Sequence, residues 1–225
     1  MKYYILSHGG GQHGESGEPC ETEYSFHHAC CACGTGAEIK HNLKARGIAK
    51  TKKDLFETKD GDLILSKNFY KRVKEKLPEF ELLQVVDTKN NPLGFYHLYA
   101  NETLPKFKES STGYVTEGQC PVCHRDGYFN DVIVGKLAGT PTIIEPVVLR
   151  YEYKDINKLS NSLLMKSWEC VGLSNKVKVD NRVVRFARPL TVVVREDLKE
   201  VLEDEKIKAT YFEPIIIEGS VQQKL

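Results

Sequence analysis

Several things are scarce in this chain of 225 residues, and each absence narrows what it can be. No stretch approaches the roughly 18 apolar residues that a membrane-spanning helix needs. Formal charge nearly cancels at +1, so no global field draws the chain to nucleic acid or to an anionic membrane. There is no phosphate-binding Gly-rich loop ending in Lys-Ser/Thr, no His-Glu-x-x-His, no Gly-x-Ser-x-Gly turn and no paired-carboxylate motif. The His8-Gly9-Gly10-Gly11 tetrapeptide has the form of an esterase oxyanion loop, but without a nucleophile turn it reads as a loop near the metal-binding segments. Cys170, beside Trp168 in an apolar-leaning stretch, reads as an inert thiol, and His97 among aromatics reads as packed or surface-exposed. The residues therefore describe a chain without an active site.

Cysteine is present seven times, an odd number that suits reduced thiols better than a disulfide framework and predicts a cytoplasmic protein. The segment Met1 to Leu6 is too short for a signal peptide and reads as a first strand. Four of the cysteines form two Cys-x-x-Cys turns, Cys30-Cys31-Ala32-Cys33-Gly34 and Cys120-Pro121-Val122-Cys123. Such a turn aims two thiolates at one cation, and two turns complete the tetrahedral shell of a structural zinc. Cys30, Cys33, Cys120 and Cys123 are thus the expected ligands of one Zn2+. Sulfur donors in a closed set of four favour zinc over magnesium or calcium and leave no position for a catalytic water. Cys31 could replace one of the first pair. His27, His28 or His124 could supply a nitrogen in place of one sulfur, and the two turns could also take separate metals or serve dimerisation. The gap between Cys33 and Cys120 (120 − 33 = 87 positions) is far longer than in a compact zinc module. A shared ion would therefore clamp the N-terminal segment to the middle of the chain.

Hydrophobic spacing predicts two strand-helix-strand units. In the first, Asp62 to Leu65 is a strand and Ser66 a helix N-cap. Phe69, Tyr70, Val73 and Leu77 make the helix face, Pro78 stops it, and Phe80 to Val86 returns. In the second, Leu190 to Val194 is a strand, Leu198, Val201 and Leu202 mark a helix, and Tyr211 to Ile217 returns. Ile64, Leu65 and Val73 align with Val192, Val193 and Val201 at an offset of 128, and Leu82 and Val86 with Phe212 and Ile216 at 130. Between the units, Gly94 to Tyr99 and Thr142 to Leu149 read as strands, Lys154 to Lys166 as a short helix, and Trp168 to Gly172 and Arg182 to Phe186 as extended. The fold class expected is α+β, with mixed sheets from two strand-helix-strand repeats joined by a zinc-ribbon-like four-cysteine site. The halves 1–120 and 121–225 each hold one knuckle and one unit, within one compact domain overall.

Charge is polarised despite its small sum. From Lys40 to Lys76 there are twelve Lys or Arg against five Asp or Glu, whereas the last helix carries Glu196, Asp197, Glu200, Glu203, Asp204 and Glu205. A basic face beside a zinc ribbon could touch nucleic acid phosphates, although its most basic stretch, residues 40–53, lacks interleaved aromatics for base stacking. Opposite charges on two faces also suit a protein partner.

The two cysteine turns resemble those of the double-CxxCG motif proteins, which carry Cys-x-x-Cys-Gly near the N-terminus and Cys-Pro-x-Cys-Gly in mid-chain. The ending from Arg188-Pro189-Leu190 to Phe212-Glu213-Pro214-Ile215 is also similar to that family and to a broader group of bacterial immunity-type proteins. This chain departs from the pattern at His124, where the family usually has Gly, in the glycine-rich insert before Cys20, and in the basic stretch after Lys40. The resemblance implies a zinc-binding, non-enzymatic protein that binds and neutralises a cognate toxin. The alternative from the residues is a zinc-ribbon nucleic-acid binder using residues 40–76.

Overall fold

The computed structural model describes residues 2–116, 119–129, 147–157, 159, 162–171, 176–179, 182–185, 188–189 and 192–219. It is a mixed α/β protein with several sheets and few helices. The central five-stranded sheet runs in the order Glu102–Thr103, Leu164–Lys166, Val192–Arg195, Tyr3–His8, Thr210–Pro214. A four-stranded antiparallel sheet has the order Leu55–Glu57, Leu63–Ser66, Pro92–His97, Leu83–Val86.

Both predicted strand-helix-strand segments exist, and in each a third strand lies between the two predicted ones. Leu63–Ser66 leads into helix α1 (Lys67–Lys76), and the returning Leu83–Val86 is separated from it by the antiparallel Pro92–His97. Val192–Arg195 leads into a second long helix (Glu196–Asp204), and Thr210–Pro214 is separated from it by the antiparallel Tyr3–His8. The interposed strand follows its unit in one case and comes from the chain's start in the other. Sequence periodicity cannot see this, because it reports the face a residue presents and not which strand lies beside it.

Two-residue alternation then distributes side chains between cores. Leu63 and Leu65 join Leu6, Val192 and Val194 in a central cluster, where both helices deposit Phe69, Tyr70, Val73, Leu198 and Leu202. Ile64 faces the opposite way, onto a cluster with Leu43, Ile48, Phe56, Val85 and Phe95. Val193 faces the other outer cluster, with Tyr3, Ile5, Leu149, Tyr151 and Met165. The offset of 128 therefore places the outward Ile64 on the inward Val192. The faces agree at one residue more, where Phe69 meets Leu198 and Val73 meets Leu202 (198 − 69 = 129, 202 − 73 = 129). Leu82 and Phe212 both pack on the central cluster. That central cluster draws on both halves of the chain.

Helix α1 starts where the Ser66 hydroxyl accepts the Phe69 amide (3.2 Å), and it ends before Pro78. The second long helix lacks a side-chain cap but has Glu196 and Asp197 in its first turn, where its dipole favours them. Arg72 and Lys76 of α1 both pair with Glu205 at 2.8 Å, so part of the basic run and part of the acidic helix neutralise one another.

One expectation is corrected. Lys154 to Lys166 is not one helix: a single turn spans Tyr153–Ile156 (α2), and Leu164–Lys166 pairs with Val192–Arg195 in the central sheet. Four residues are too few to hold a helix without tertiary support, and Leu164 and Met165 are wanted in the cores. The strand expected over Thr142 to Leu149 falls mostly outside the described residues; at its end, Val148 bridges Thr112. Arg182–Arg185 is extended as expected, paired with Lys176–Val179. Among the described residues, no helix is long and apolar enough to cross a membrane.

Candidate metal centre

Each cysteine turn is closed by one backbone bond and one left-handed residue. In the first, the Gly34 amide donates to the Cys30 carbonyl (2.8 Å), with Gly34 at φ 75°. In the second, the His124 amide donates to the Cys120 carbonyl (3.0 Å), with His124 at φ 51°. The closure turns both sulfurs of a knuckle to one side. A further bond from the Cys30 amide to the Thr35 carbonyl (2.8 Å) fixes how the first knuckle sits on its stem.

The four sulfurs of Cys30, Cys33, Cys120 and Cys123 lie within 4.8 Å of one another. Cys30 Sγ is 3.9 Å from Cys120 Sγ, and Cys33 Sγ is 3.5 Å from Cys123 Sγ. A zinc-sulfur bond of about 2.3 Å gives a tetrahedron whose edges are about 3.8 Å, so these separations suit one ion at the centre. The four residues could hold a metal ion such as zinc. Cys33 and Cys120 are buried, whereas Cys30 and Cys123 are half-buried.

Electrostatics differ around the ring. Burial pushes the Cys33 thiol up, against the effect of the Thr35 hydroxyl 3.1 Å from its sulfur. Burial also acts on Cys120, but the amides of Cys123 and Val122 point at its sulfur and bring it down to about 7. Burial raises Cys123, and the neighbouring Cys33 sulfur adds to the rise. Thiols crowded this closely cannot all ionise without a cation among them, which is the physical argument for a metal here.

The other residues weighed as ligands stay outside this group. Cys31 is exposed, and His27 and His28 are exposed and in contact with each other, with ring centroids 4.4 Å apart. His124 is exposed and serves the turn through its backbone. Cys170 lies in a short strand paired with Asp126, and its side chain lies outside the described residues. His97 is buried, with Nε2 3.4 Å from Asp62 Oδ1. The glycine-rich loop after His8 sits at the end of the central sheet, where the Gly9 amide donates to the Ala209 carbonyl (2.9 Å).

Sequence reading passed over the groups that seat the two knuckles on the fold. Arg125 comes directly after the second knuckle; its Nε donates to the Trp168 carbonyl (3.0 Å) and its guanidinium lies 4.9 Å from the Trp168 ring centroid. The same guanidinium fills the space beside Gly36, where a Cβ would come within 2.6 Å of it. Lys166 pairs with Glu38 at 3.7 Å, tying the first knuckle's stem to the central sheet. Next to Trp168, the buried Glu169 accepts the Phe107 amide through Oε1 (2.9 Å), and burial raises its carboxyl to about 7. A charged residue flanking the chain's one tryptophan is the only trace of this arrangement in the sequence.

Comparison with protein-family models, with curated proteins and with solved structures finds no match.

Proposed function

We propose that the chain is a non-enzymatic binding protein whose four-cysteine centre carries a structural Zn2+, and that it acts as an immunity-type protein, binding and neutralising a cognate toxin in the cytoplasm. The observation that carries the metal part is the convergence of Cys30, Cys33, Cys120 and Cys123 from two distant knuckles into a group of tetrahedral dimensions. A closed set of four thiolates supplies folding energy and no open coordination position, which fits a part that shapes the molecule. In this reading the ion fastens Arg125 and its Trp168 seat to the N-terminal segment, so a binding surface built from both is held in one shape. The two strand-helix-strand units, aligned on their buried faces, are read as an internal repeat. The toxin part rests on the resemblance of the two cysteine turns and the C-terminal segment.

Two measurements test the reading separately. Native mass spectrometry of the purified protein should show one zinc per chain, absent from Cys33→Ser; a metal-free, fully folded wild type overturns the zinc centre. Tagged protein recovered from its own host should bring down one stoichiometric protein encoded next door, and co-expression should relieve that protein's toxicity. A neighbouring gene product that neither binds nor is toxic overturns the immunity reading and leaves the metal result standing.

A further inference from the structure

The aromatics of the basic run, Phe56, Phe69 and Tyr70, are buried in the cores, but the fold brings an exposed one to its surface. Tyr211, on the edge strand of the central sheet, is the most exposed large hydrophobic side chain among the described residues, at 62%. It lies over Gly9, where a Cβ would come within 3.1 Å of the tyrosine ring. The next residue, Gly10, lies against Ala209, and its carbonyl accepts a bond from Lys53 Nζ. The surface is thus continuous from Lys52 and Lys53, across Gly10 and Gly9, to Ala209 and Tyr211, with Lys208 exposed at its end. Among the described residues, neither Lys52 nor Lys208 has an ion-pair partner. At Gly11 a Cβ would meet nothing within 4 Å, so the loop crest is open to whatever approaches.

We propose that this surface binds single-stranded nucleic acid, with one base stacked on Tyr211 and backbone phosphates on Lys52, Lys53 and Lys208. An exposed aromatic flanked by lysines meets both needs of a single strand, a platform for a base face and cations for the phosphates. The glycines let a backbone come close to the ring without a side chain in the way. Duplex DNA fits less well, because its bases are already stacked and cannot reach the ring. The surface is built from residues other than the metal ligands, so it stands or falls separately from the zinc centre and from the toxin reading.

The test is fluorescence anisotropy with a labelled oligothymidylate of about twenty nucleotides, zinc-loaded full-length protein and a salt series. Wild type should bind at low salt, with log affinity against log salt falling at a slope of about −2, as for three phosphates on a single strand. Tyr211→Ala should weaken binding about tenfold while Tyr211→Phe keeps it, and Lys52→Glu with Lys208→Glu should abolish it. Tyr211 is exposed enough that its replacement leaves the fold intact, which circular dichroism and zinc content check. Absence of binding at low salt, equal affinity for a duplex of the same length, or an unchanged Tyr211→Ala variant would each overturn the proposal.

Discussion

The two cysteine knuckles share a backbone and differ in how they are secured. Both close with an amide-to-carbonyl bond onto the first cysteine, and both then pass through a left-handed residue. The first meets that conformation with Gly34, which has no Cβ to collide with the following carbonyl. The second meets it with His124, which does. Burial is also reversed: the second cysteine is the deep one in the first knuckle, and the first cysteine in the second. The residues just beyond each turn differ most. After Gly34 come Thr35, buried beside the Cys33 sulfur, and Gly36, shaped to receive a guanidinium. After His124 comes Arg125, which supplies that guanidinium and grips Trp168. One knuckle is a socket and the other a plug, so a shared metal would not have to hold the two together unaided.

The largest effect should come from breaking both at their shared point. Cys33→Ser or Cys120→Ser removes a proposed ligand, and since a structural zinc contributes roughly 10 kcal/mol or more of apparent folding free energy, either variant should lose metal and fold poorly. Cys31→Ser, at an exposed thiol between Cys30 and Cys33, should leave metal content and melting temperature unchanged. Zinc analysis and thermal unfolding of the three variants check the distinction. Equal loss in all three would mean that Cys31 is a ligand.

The seat under the plug should make stability depend on pH. Burial raises the Glu169 carboxyl from its ordinary value of 4.5 to about 7, so the folded state holds a proton that the unfolded chain releases. Its contribution is complete below about 4.5 and is lost as pH rises through about 7, a change on the order of 3 kcal/mol across that window. Glu169→Gln stays neutral throughout, so urea titrations between those limits should show its stability falling less steeply with pH than wild type. Parallel slopes would show that Glu169 is solvated in solution.

Arg125→Ala should act on the plug alone. It removes the bond to the Trp168 carbonyl, the contact with the indole and the filling beside Gly36, and a loss of about 1–3 kcal/mol is expected with zinc still bound. Loss of zinc together with stability would mean that Arg125 secures the ligands themselves.

These differences explain how far the sequence could be read. The four-cysteine cluster was legible because two thiolates that face one side of a turn are three positions apart, a constraint local to each knuckle. The helices over Phe69 to Val73 and Leu198 to Leu202 were legible because a buried face repeats with the helical period. The insertion of Tyr3–His8 between Val192–Arg195 and Thr210–Pro214 was not, since nothing in a strand's own residues names its neighbour. The seat was hidden for the same reason. Gly36 and Arg125 lie 89 positions apart (125 − 36), and each alone reads as an ordinary loop residue. Tyr211 was assigned to a strand, and only the sheet shows that its ring reaches the glycine loop of the first strand.

The smallest effect tests the knuckle comparison most directly, because it exchanges one atom group at matched positions. Gly34→Ala puts a Cβ into the left-handed region and should cost about 1 kcal/mol. His124→Gly removes one from that region, and the relief is partly offset by the greater freedom glycine gives the unfolded chain. The expected gain is a few tenths of a kcal/mol, a rise in melting temperature with zinc content unchanged. Opposite signs at the two sites would establish that the knuckles share one backbone and that the second carries strain the first avoids. A destabilised His124→Gly that keeps its zinc would instead show that the imidazole makes a contact worth more than the strain. The second knuckle would then owe its shape to its side chain, and the likeness of the two turns would end at their cysteines.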